Sequence, residues 1–368
     1  MDFLQKTTCV VAQGLLVSSL HSFSIDQKPY GSSQMNKKLL AAAVVAAVAA
    51  SPAAFADSTV YGKLHTSLDY TDFDQKGDED LDRITGGSWK VQSRASRLGF
   101  KGSEDLGNGL KAIYQIEFGI NADGGNQQVT SSGFGTQRNT FIGLSGDWGT
   151  ALVGRHDTPM KMAWYAQGNE VLGDSIIDLN LGSSIIGVMQ ETRANNAIAY
   201  VSPNFSGFTV AAAMVPGEER DNGLTTPSID YPDKDAELGA NASDSLADHY
   251  SLGAMYSGNG LKASAGYELL DNQADLIAAG APNVDQKTWQ LGGSYTMNGF
   301  MLGAGYQDTS NFGFEDKDDY TAYTVSGMYN FGNNGIGAVY THSKLDPDAA
   351  SEPERKTDGW GIEGEHNF

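Results

Sequence analysis

The sequence predicts an all-β protein, a transmembrane antiparallel β-barrel, and three features lead to this fold class. From Ser58 to the C-terminus, segments of about ten residues alternate apolar with polar or small side chains, as in strands whose two faces meet different media. About 9–11 residues is the length that a tilted strand needs to cross a bilayer. A secretory signal precedes these segments, and their connections alternate between short turns and long polar loops, which is typical of outer-membrane barrels.

A signal peptide is predicted over residues 35–56. Met35-Asn-Lys-Lys forms a positive n-region, residues 39–50 form an apolar h-region, and Ala54-Phe55-Ala56 is a cleavage site of the A-x-A type. A transmembrane anchor is disfavoured because the apolar run is short and rich in alanine.

Cleavage at this site would divide the chain into three parts. Residues 1–34 are expected to be an upstream extension beyond the true start, with removal alongside the signal as the alternative, and residues 57–368 are the expected barrel. The only cysteine, Cys9, lies in the extension, so the mature chain would have no disulfide and no cysteine-ligated metal. It would keep 20 basic and 43 acidic residues, a net charge of −23, which disfavours nucleic acid as a partner.

Fourteen strands are predicted, and the segment 109–118 is the clearest. Its Leu110, Tyr114 and Ile116 fall on one face and Glu117 on the other. Tight turns rich in Gly and Asn alternate with long polar loops, and an even number of strands places both termini on the periplasmic side. The strands are expected near 58–70, 88–102, 109–120, 136–146, 149–156, 194–202, 206–215, 248–257, 260–270, 286–297, 300–308, 319–331, 334–343 and 357–368.

Several motifs resemble those of the Gram-negative general porins of the neisserial and proteobacterial type. Residues 96–112, Ser-Arg-Leu-Gly-Phe-Lys-Gly-Ser-Glu-Asp-Leu-Gly-Asn-Gly-Leu-Lys-Ala, resemble a hallmark stretch of that family. Residues 141–146 with Gly154-Arg155, and residues 196–207, are similar to later segments, and the final His366-Asn367-Phe368 resembles the family's C-terminus. The resemblance spans nearly the whole mature chain.

The resemblance implies a general diffusion porin in the outer membrane of a Gram-negative bacterium. Such a protein passes small hydrophilic solutes and ions passively, forms a homotrimer, and contacts outer-membrane lipid and lipopolysaccharide. Phe368 would be the assembly signal that the barrel-assembly machinery reads. The family has sixteen strands, two more than the fourteen counted, as though one hairpin were absent between 300–308 and 319–331.

The resemblance also implies that the third long loop, 157–193, folds inward and narrows the barrel. Its many apolar residues would be wasteful in a solvent-exposed loop; they are Trp164, Tyr165, Ile176, Ile177, Leu179, Ile185, Ile186 and Val188. The loop would supply the acidic side of the constriction through Asp157, Glu170, Asp174 and Asp178. Glu191 of the loop is also acidic.

A basic wall is expected opposite this loop, because a membrane-facing arginine costs about 2–4 kcal/mol at the bilayer midplane. The wall would consist of Arg94, Arg97, Arg138, Arg155 and Arg193. Arg94 and Arg97 cannot both point inward from a regular strand, so one needs a bulge or an interfacial position. The two charged sides would give a transverse field and a weak anion preference, although each arginine could instead serve only to tie down the loop through salt bridges.

An outer-membrane barrel enzyme of lipase or protease type, or a substrate-specific channel, is the alternative. The mature histidines are scattered singly, at His65, His156, His249, His342 and His366, and no G-x-S-x-G, H-E-x-x-H or Walker motif occurs. We therefore expect no enzyme activity and no cofactor. No acidic run has the EF-hand spacing, so no metal site is predicted either.

Overall fold

The structure is a computed structural model. It describes residues 11–12, 58–73, 86–123, 134–171, 173–181, 187–216, 247–271, 284–348 and 353–366. The predicted signal peptide, 35–56, lies outside these ranges. So do Phe368 and, apart from Val11 and Ala12, the predicted upstream extension.

Fourteen spans form the wall, as the alternation predicts. Sixteen strand segments follow Ser58 in the described residues, but β1 and β2 each consist of two segments that meet at a bend. The spans are β1 (Thr59–Lys63 and Thr66–Phe73), β2 (Gly86–Ser93 and Arg97–Gly107), β3 (Leu110–Ile120), β4 (Phe134–Gly146), β5 (Gly149–Asp157), β6 (Arg193–Val201), β7 (Phe208–Val215), β8 (His249–Gly258), β9 (Leu261–Leu270), β10 (Gln286–Met297), β11 (Phe300–Ser310), β12 (Asp319–Phe331), β13 (Asn334–Asp346) and β14 (Arg355–His366).

Each span pairs antiparallel with the next, so the chain order is also the order around the barrel. β11 pairs with β12 along its whole length, from Phe300 opposite Tyr329 to Ser310 opposite Asp319. No hairpin lies between these two strands, and the sixteen strands implied by the family resemblance are not found in the described residues.

The sheet closes into a barrel where β14 lies beside β1. The two-residue segment Val11–Ala12 also lies at this seam: Val11 pairs in parallel with Glu363, and Ala12 stands opposite Leu68. Closure matters because lipid cannot hydrogen-bond the free N–H and C=O groups of a sheet edge.

A β-bulge bends β1 and β2 together. Lys63 stands opposite Arg97 and Thr66 opposite Ser93, so two residues of β1 face three residues of β2. The extra residue is accommodated at Ala95, whose φ is 46°. Because one inserted residue reverses the side on which later side chains point, Arg94 and Arg97 can both face the lumen. A bulge is one of the two alternatives that the sequence leaves open for these arginines, the other being an interfacial position for one of them.

The two faces of the wall have opposite character. In β8, Ser251 on the inner face is buried, whereas Tyr250 and Leu252 on the outer face are 48% and 53% exposed. The same alternation recurs in β10, where Gln290 is buried and Leu291 is exposed. Polar residues therefore point inward and large apolar residues outward, as a barrel in lipid requires.

Aromatic side chains pair at both ends of the outer face. Phe300 and Tyr329 stack beside the short turns, with ring centroids 4.1 Å apart, and Trp289 and Tyr306 lie 5.2 Å apart near the loop end. Aromatic belts at both interfaces are typical of proteins that span a membrane.

The described residues contain one α-helix, α1 (Pro159–Ala166), and one 3-10 turn (Phe312–Phe314). Thr158 caps α1 by accepting a hydrogen bond from the backbone N–H of Lys161, and Pro159 occupies the first turn, where its missing N–H costs nothing. Neither helix is long and apolar enough to cross a membrane.

Replacing Leu291 by Arg should lower the free energy of unfolding by about 2–4 kcal/mol, because this outward side chain lies at mid-strand and would place a charge in lipid. Urea titration in lipid bilayers measures the change. Ser103→Arg on the inner face of β2 is the control and should have a much smaller effect. Equal losses in the two variants would contradict the assignment of the faces.

Candidate functional site

The described residues of the loop 157–193 lie inside the barrel, and α1 at its start packs on β8, β9 and β10. Ser251 Oγ accepts a hydrogen bond from the Met160 backbone N–H at 3.0 Å. Ser264 Oγ donates to the Ala163 carbonyl at 2.6 Å, and Gln290 Nε2 donates to the Met160 carbonyl at 2.5 Å. Polar groups of the inner wall thus hydrogen-bond the backbone of α1.

Glycines on the inner wall allow this close approach. A Cβ at Gly253 would collide with the Pro159 carbonyl, and one at Gly305 would collide with the Trp164 ring. The glycines against which the loop packs in this way are Gly253, Gly266, Gly292, Gly303, Gly305 and Gly361. Close backbone approach is a characteristic reason for glycine in a strand.

The second half of the loop packs on β10 to β13. Gln307 accepts from the Gln190 backbone N–H at 2.7 Å and donates to its carbonyl at 3.1 Å, so one side-chain amide pairs with the loop as a neighbouring strand would. The loop and wall also share an apolar cluster: Trp164, Ile176, Ile177, Leu179, Val188, Met189, Tyr320, Ala322 and Val339. Five of the eight predicted apolar loop residues are buried here, whereas Tyr165 is half exposed and Ile185 and Ile186 lie outside the described residues.

The tip of the loop reaches across to β1 and β2. Asp174 adopts a left-handed conformation, with φ of 58°, and Asp178 accepts a hydrogen bond from its backbone N–H at 2.7 Å. The Asp174 carboxylate lies 2.8 Å from Lys63 Nζ and 3.6 Å from an Arg97 guanidinium nitrogen. One acidic residue of the loop thus bridges two basic residues of the wall.

Two further ion pairs lie on the basic side. Arg138 pairs with Glu117 at 2.5 Å, from β4 to β3. Arg193, at the start of β6, pairs with Asp157, at the end of β5, at 2.8 Å. These two ion pairs hold the Arg138 and Arg193 side chains beside the loop.

A cavity of about 360 Å³ separates the loop from the basic side. It is lined by Arg97, Arg138, Asp157, Tyr165, Gly168, Glu170, Val171, Gly173, Asp174 and Arg193. Six of the nine predicted constriction residues therefore meet around one space, with three arginines and three carboxylates among them. Opposed charges across a polar gap can orient water and sort ions.

The other three predicted residues lie away from the lining of this cavity. Arg94 pairs with the buried Asp69. Arg155 donates to the Gln137 carbonyl at 2.8 Å and to the Asn195 side chain. Asp178 accepts hydrogen bonds within the loop, as at Asp174. A role for these three residues in the constriction remains a prediction.

Several partners were missed by sequence reasoning, notably Lys63, Glu117 and Lys161. Lys161 lies 3.2 Å from Glu191, and Glu191 accepts a hydrogen bond from the Tyr165 hydroxyl at 2.8 Å. The signal for Lys63 and Glu117 was their place on the inner face of β1 and β3. Alternation of polar and apolar residues shows which side chains of a strand face the lumen. It does not show which side chains elsewhere in the barrel they contact.

The loop carboxyls differ in their pKa. Burial, with the charges of Glu191 and Asp178, raises the pKa of Glu170 well above its usual range. Burial and the Glu191 charge raise the pKa of Asp178 to about 6. For Asp174, burial opposes ionisation, but the hydrogen bond from Lys63 and the charges of Lys63 and Arg97 lower the pKa. Asp174 is therefore ionised at neutral pH, whereas the surroundings of Glu170 disfavour its charged form.

Metal ligation is a separate question. Within the residues that the structure describes, no group of three His, Cys, Asp or Glu side chains could hold a metal ion.

Comparisons of this sequence with protein families and with individual proteins agree on one family. Residues 41–368 match the Gram-negative porin family. An outer membrane porin of Bordetella pertussis is 28% identical over 82% of this chain and 77% of its own length. Outer membrane porin protein 32 of Delftia acidovorans is 33% identical over 61% of this chain and 66% of its own length.

Two solved structures share the fold. An anion-selective porin from Comamonas acidovorans superimposes with a TM-score of 0.57 at 22% identity, over 83% of each chain. OmpF of Salmonella typhi superimposes with a TM-score of 0.59 at 16% identity, over 84% of this chain and 86% of its own.

Acidification should shift ion selectivity towards anions, because Asp178 takes up a proton as the pH falls through about 6. At about 0.01 M salt, where the Debye length is about 30 Å, a unit charge about 10 Å from the ion path changes the energy of each ion by up to about 0.4 kcal/mol. Because the anion and the cation respond oppositely, the permeability ratio should change about twofold to fourfold. Reversal potentials in planar bilayers at pH 7.5 and pH 5 measure this shift in ion selectivity. The Asp178→Asn variant should lose most of the shift.

Glu354→Gln is the control for that measurement. Hydrogen bonds from Lys344 and Lys356 lower the pKa of Glu354 to about 2, so its charge does not change over this range. A wild-type pH response in the Asp178 variant would contradict the role given to this carboxyl.

Proposed function

Because this chain belongs to the Gram-negative porin family and is a diffusion porin of the outer membrane, we propose that the cavity beside the loop 157–193 is the constriction of its channel. The single observation that carries the proposal is the Asp174 bridge to Lys63 and Arg97. It ties the loop tip to the opposite wall, so solutes must pass through the charged space that remains. The family consists of passive channels, which distinguishes the chain from an outer-membrane enzyme.

The constriction should carry a small excess of positive charge. Arg97, Arg138 and Arg193 line it, and of the three lining carboxyls Glu170 has a raised pKa. Acidic outer loops contribute little, because charges more than about 8–10 Å away are screened at physiological salt. We infer a weak anion preference; among proteins of similar fold, the Comamonas porin is itself described as anion-selective.

Assembly follows from the same family. We propose a homotrimer that contacts outer-membrane lipid and lipopolysaccharide and admits small hydrophilic solutes, after removal of residues 1–56. Phe368 would be read by the barrel-assembly machinery. Support comes from the outward apolar face of β14, where Trp360 and Ile362 are exposed.

Replacing Arg138 by Gln should move the reversal potential towards cations. Removing a unit charge about 5 Å from the ion path changes the ion's energy by about 0.8 kcal/mol in water, so the anion-to-cation permeability ratio should fall at least about fourfold. Bilayer recordings under a salt gradient measure this ratio.

Arg155→Gln is the matched control, because it removes the same charge from a residue outside the cavity lining. Its shift should be clearly smaller than that of Arg138→Gln. If the two variants shift equally, or if neither does in a correctly folded protein, the cavity is not the constriction.

A further inference from the structure

The turn between β11 and β12, residues 311–318, folds towards the lumen. Phe314 is buried, and Phe312 packs against the apolar cluster that the loop 157–193 shares with the wall. The Phe312 N–H donates to the Asp318 carbonyl at 2.8 Å, which closes the turn on itself. The family resemblance implies a hairpin at this place in the chain. This protein instead has a compact turn that contacts the apolar cluster of the loop.

Gln286, the first residue of β10, contacts both the β11–β12 turn and the loop. Its side-chain oxygen accepts a hydrogen bond from the Gly313 N–H at 2.8 Å. Its side-chain nitrogen donates to the side-chain oxygen of Gln190 at 3.0 Å. Gln286 is buried, and a side-chain amide suits this place because it accepts on one side and donates on the other.

Tyr320, near the start of β12, forms a second link between the same two segments. Its ring stacks on that of Phe312, with ring centroids 4.7 Å apart. Its hydroxyl donates to the Val188 carbonyl of the loop at 2.7 Å. Tyr320 is buried, so the ring supplies an apolar contact while the hydroxyl still finds a partner.

We propose that the β11–β12 turn braces the return arm of the constriction loop, residues 187–193, and that Gln286 and Tyr320 are the positioning residues of this brace. The inference rests on the proposed function, because it takes the loop to be the constriction. The return arm ends at Arg193, which lines the cavity. A displacement of the arm therefore moves a charge of the channel, although Gln286 and Tyr320 lie outside the cavity lining.

The attachment of Gln190 shows why the brace matters for the arm. Gln307 accepts from its backbone N–H and donates to its carbonyl. The Gln190 side chain donates to the Thr309 hydroxyl at 2.7 Å and accepts from Gln286. Members of a buried hydrogen-bond network depend on one another. A turn that no longer holds Gln286 therefore weakens the attachment of the arm as well.

The test is single-channel recording of Phe312→Leu, of Tyr320→Phe and of the double variant. Phe312→Leu removes the stacked ring of the turn, whereas Tyr320→Phe keeps its ring and removes only the hydroxyl bonded to Val188. Each single variant should raise the frequency of brief current interruptions about fivefold, as expected for the loss of one aromatic pair or one hydrogen bond. The double variant should show less than the product of the two effects, because both changes act through the same link.

Two matched controls carry the same substitutions outside the brace. Phe331→Leu removes a ring that stacks on Tyr329 with centroids 5.4 Å apart, beside a short turn. Tyr323→Phe removes a hydroxyl from the outer face of β12. Both controls should record like the unaltered protein, and heat-modifiable gel migration should show a folded barrel in every variant.

The proposal is overturned if Phe312→Leu folds and its current is as quiet as that of Phe331→Leu, including when Tyr320→Phe fails to fold. Effects that multiply in the double variant would also overturn it, because independent losses of stability at two sites combine in that way. If Arg138→Gln still shifts the reversal potential in either case, the constriction stands and only the brace fails.

Discussion

The structure depends on one constraint: inside a bilayer every backbone N–H and C=O must find a partner within the protein. The chain meets it by closing fourteen spans into a barrel. Closure in turn divides the residues of each strand between lipid and lumen, so Leu252 faces outward while Ser251 of the same strand faces inward. The inner surface is polar for this reason, and a loop can dock there only by matching polar groups.

The loop 157–193 satisfies that condition in two ways. Its backbone pairs with inner-wall side chains, as at Gln307 and Gln190, and its apolar residues pack among glycines and the few apolar residues of β12 and β13. Its acidic tip is left to meet Lys63 and Arg97 across the lumen. The same packing that holds the loop therefore also determines which charges face the channel.

Alternation in the sequence was enough to predict the strands, their number and the inward face, because a period of two reports directly on which side meets water. It left two alternatives for Arg94 and Arg97, a bulge or an interfacial position for one of them, and the structure has a bulge at Ala95. It could not separate Arg138 from Arg155, since both are basic residues on neighbouring strands. Nor could it reveal Lys63, because its partner Asp174 lies on the loop, far away in the sequence.

The most direct test of the constriction is the single-channel conductance of a protein that lacks residues 170–185. A deletion of equal length within 217–246 is the control. If the loop obstructs the channel, conductance should rise in the first protein and stay unchanged in the second, with both barrels folded. An unchanged conductance in the first protein would place the loop outside the ion path and contradict the account.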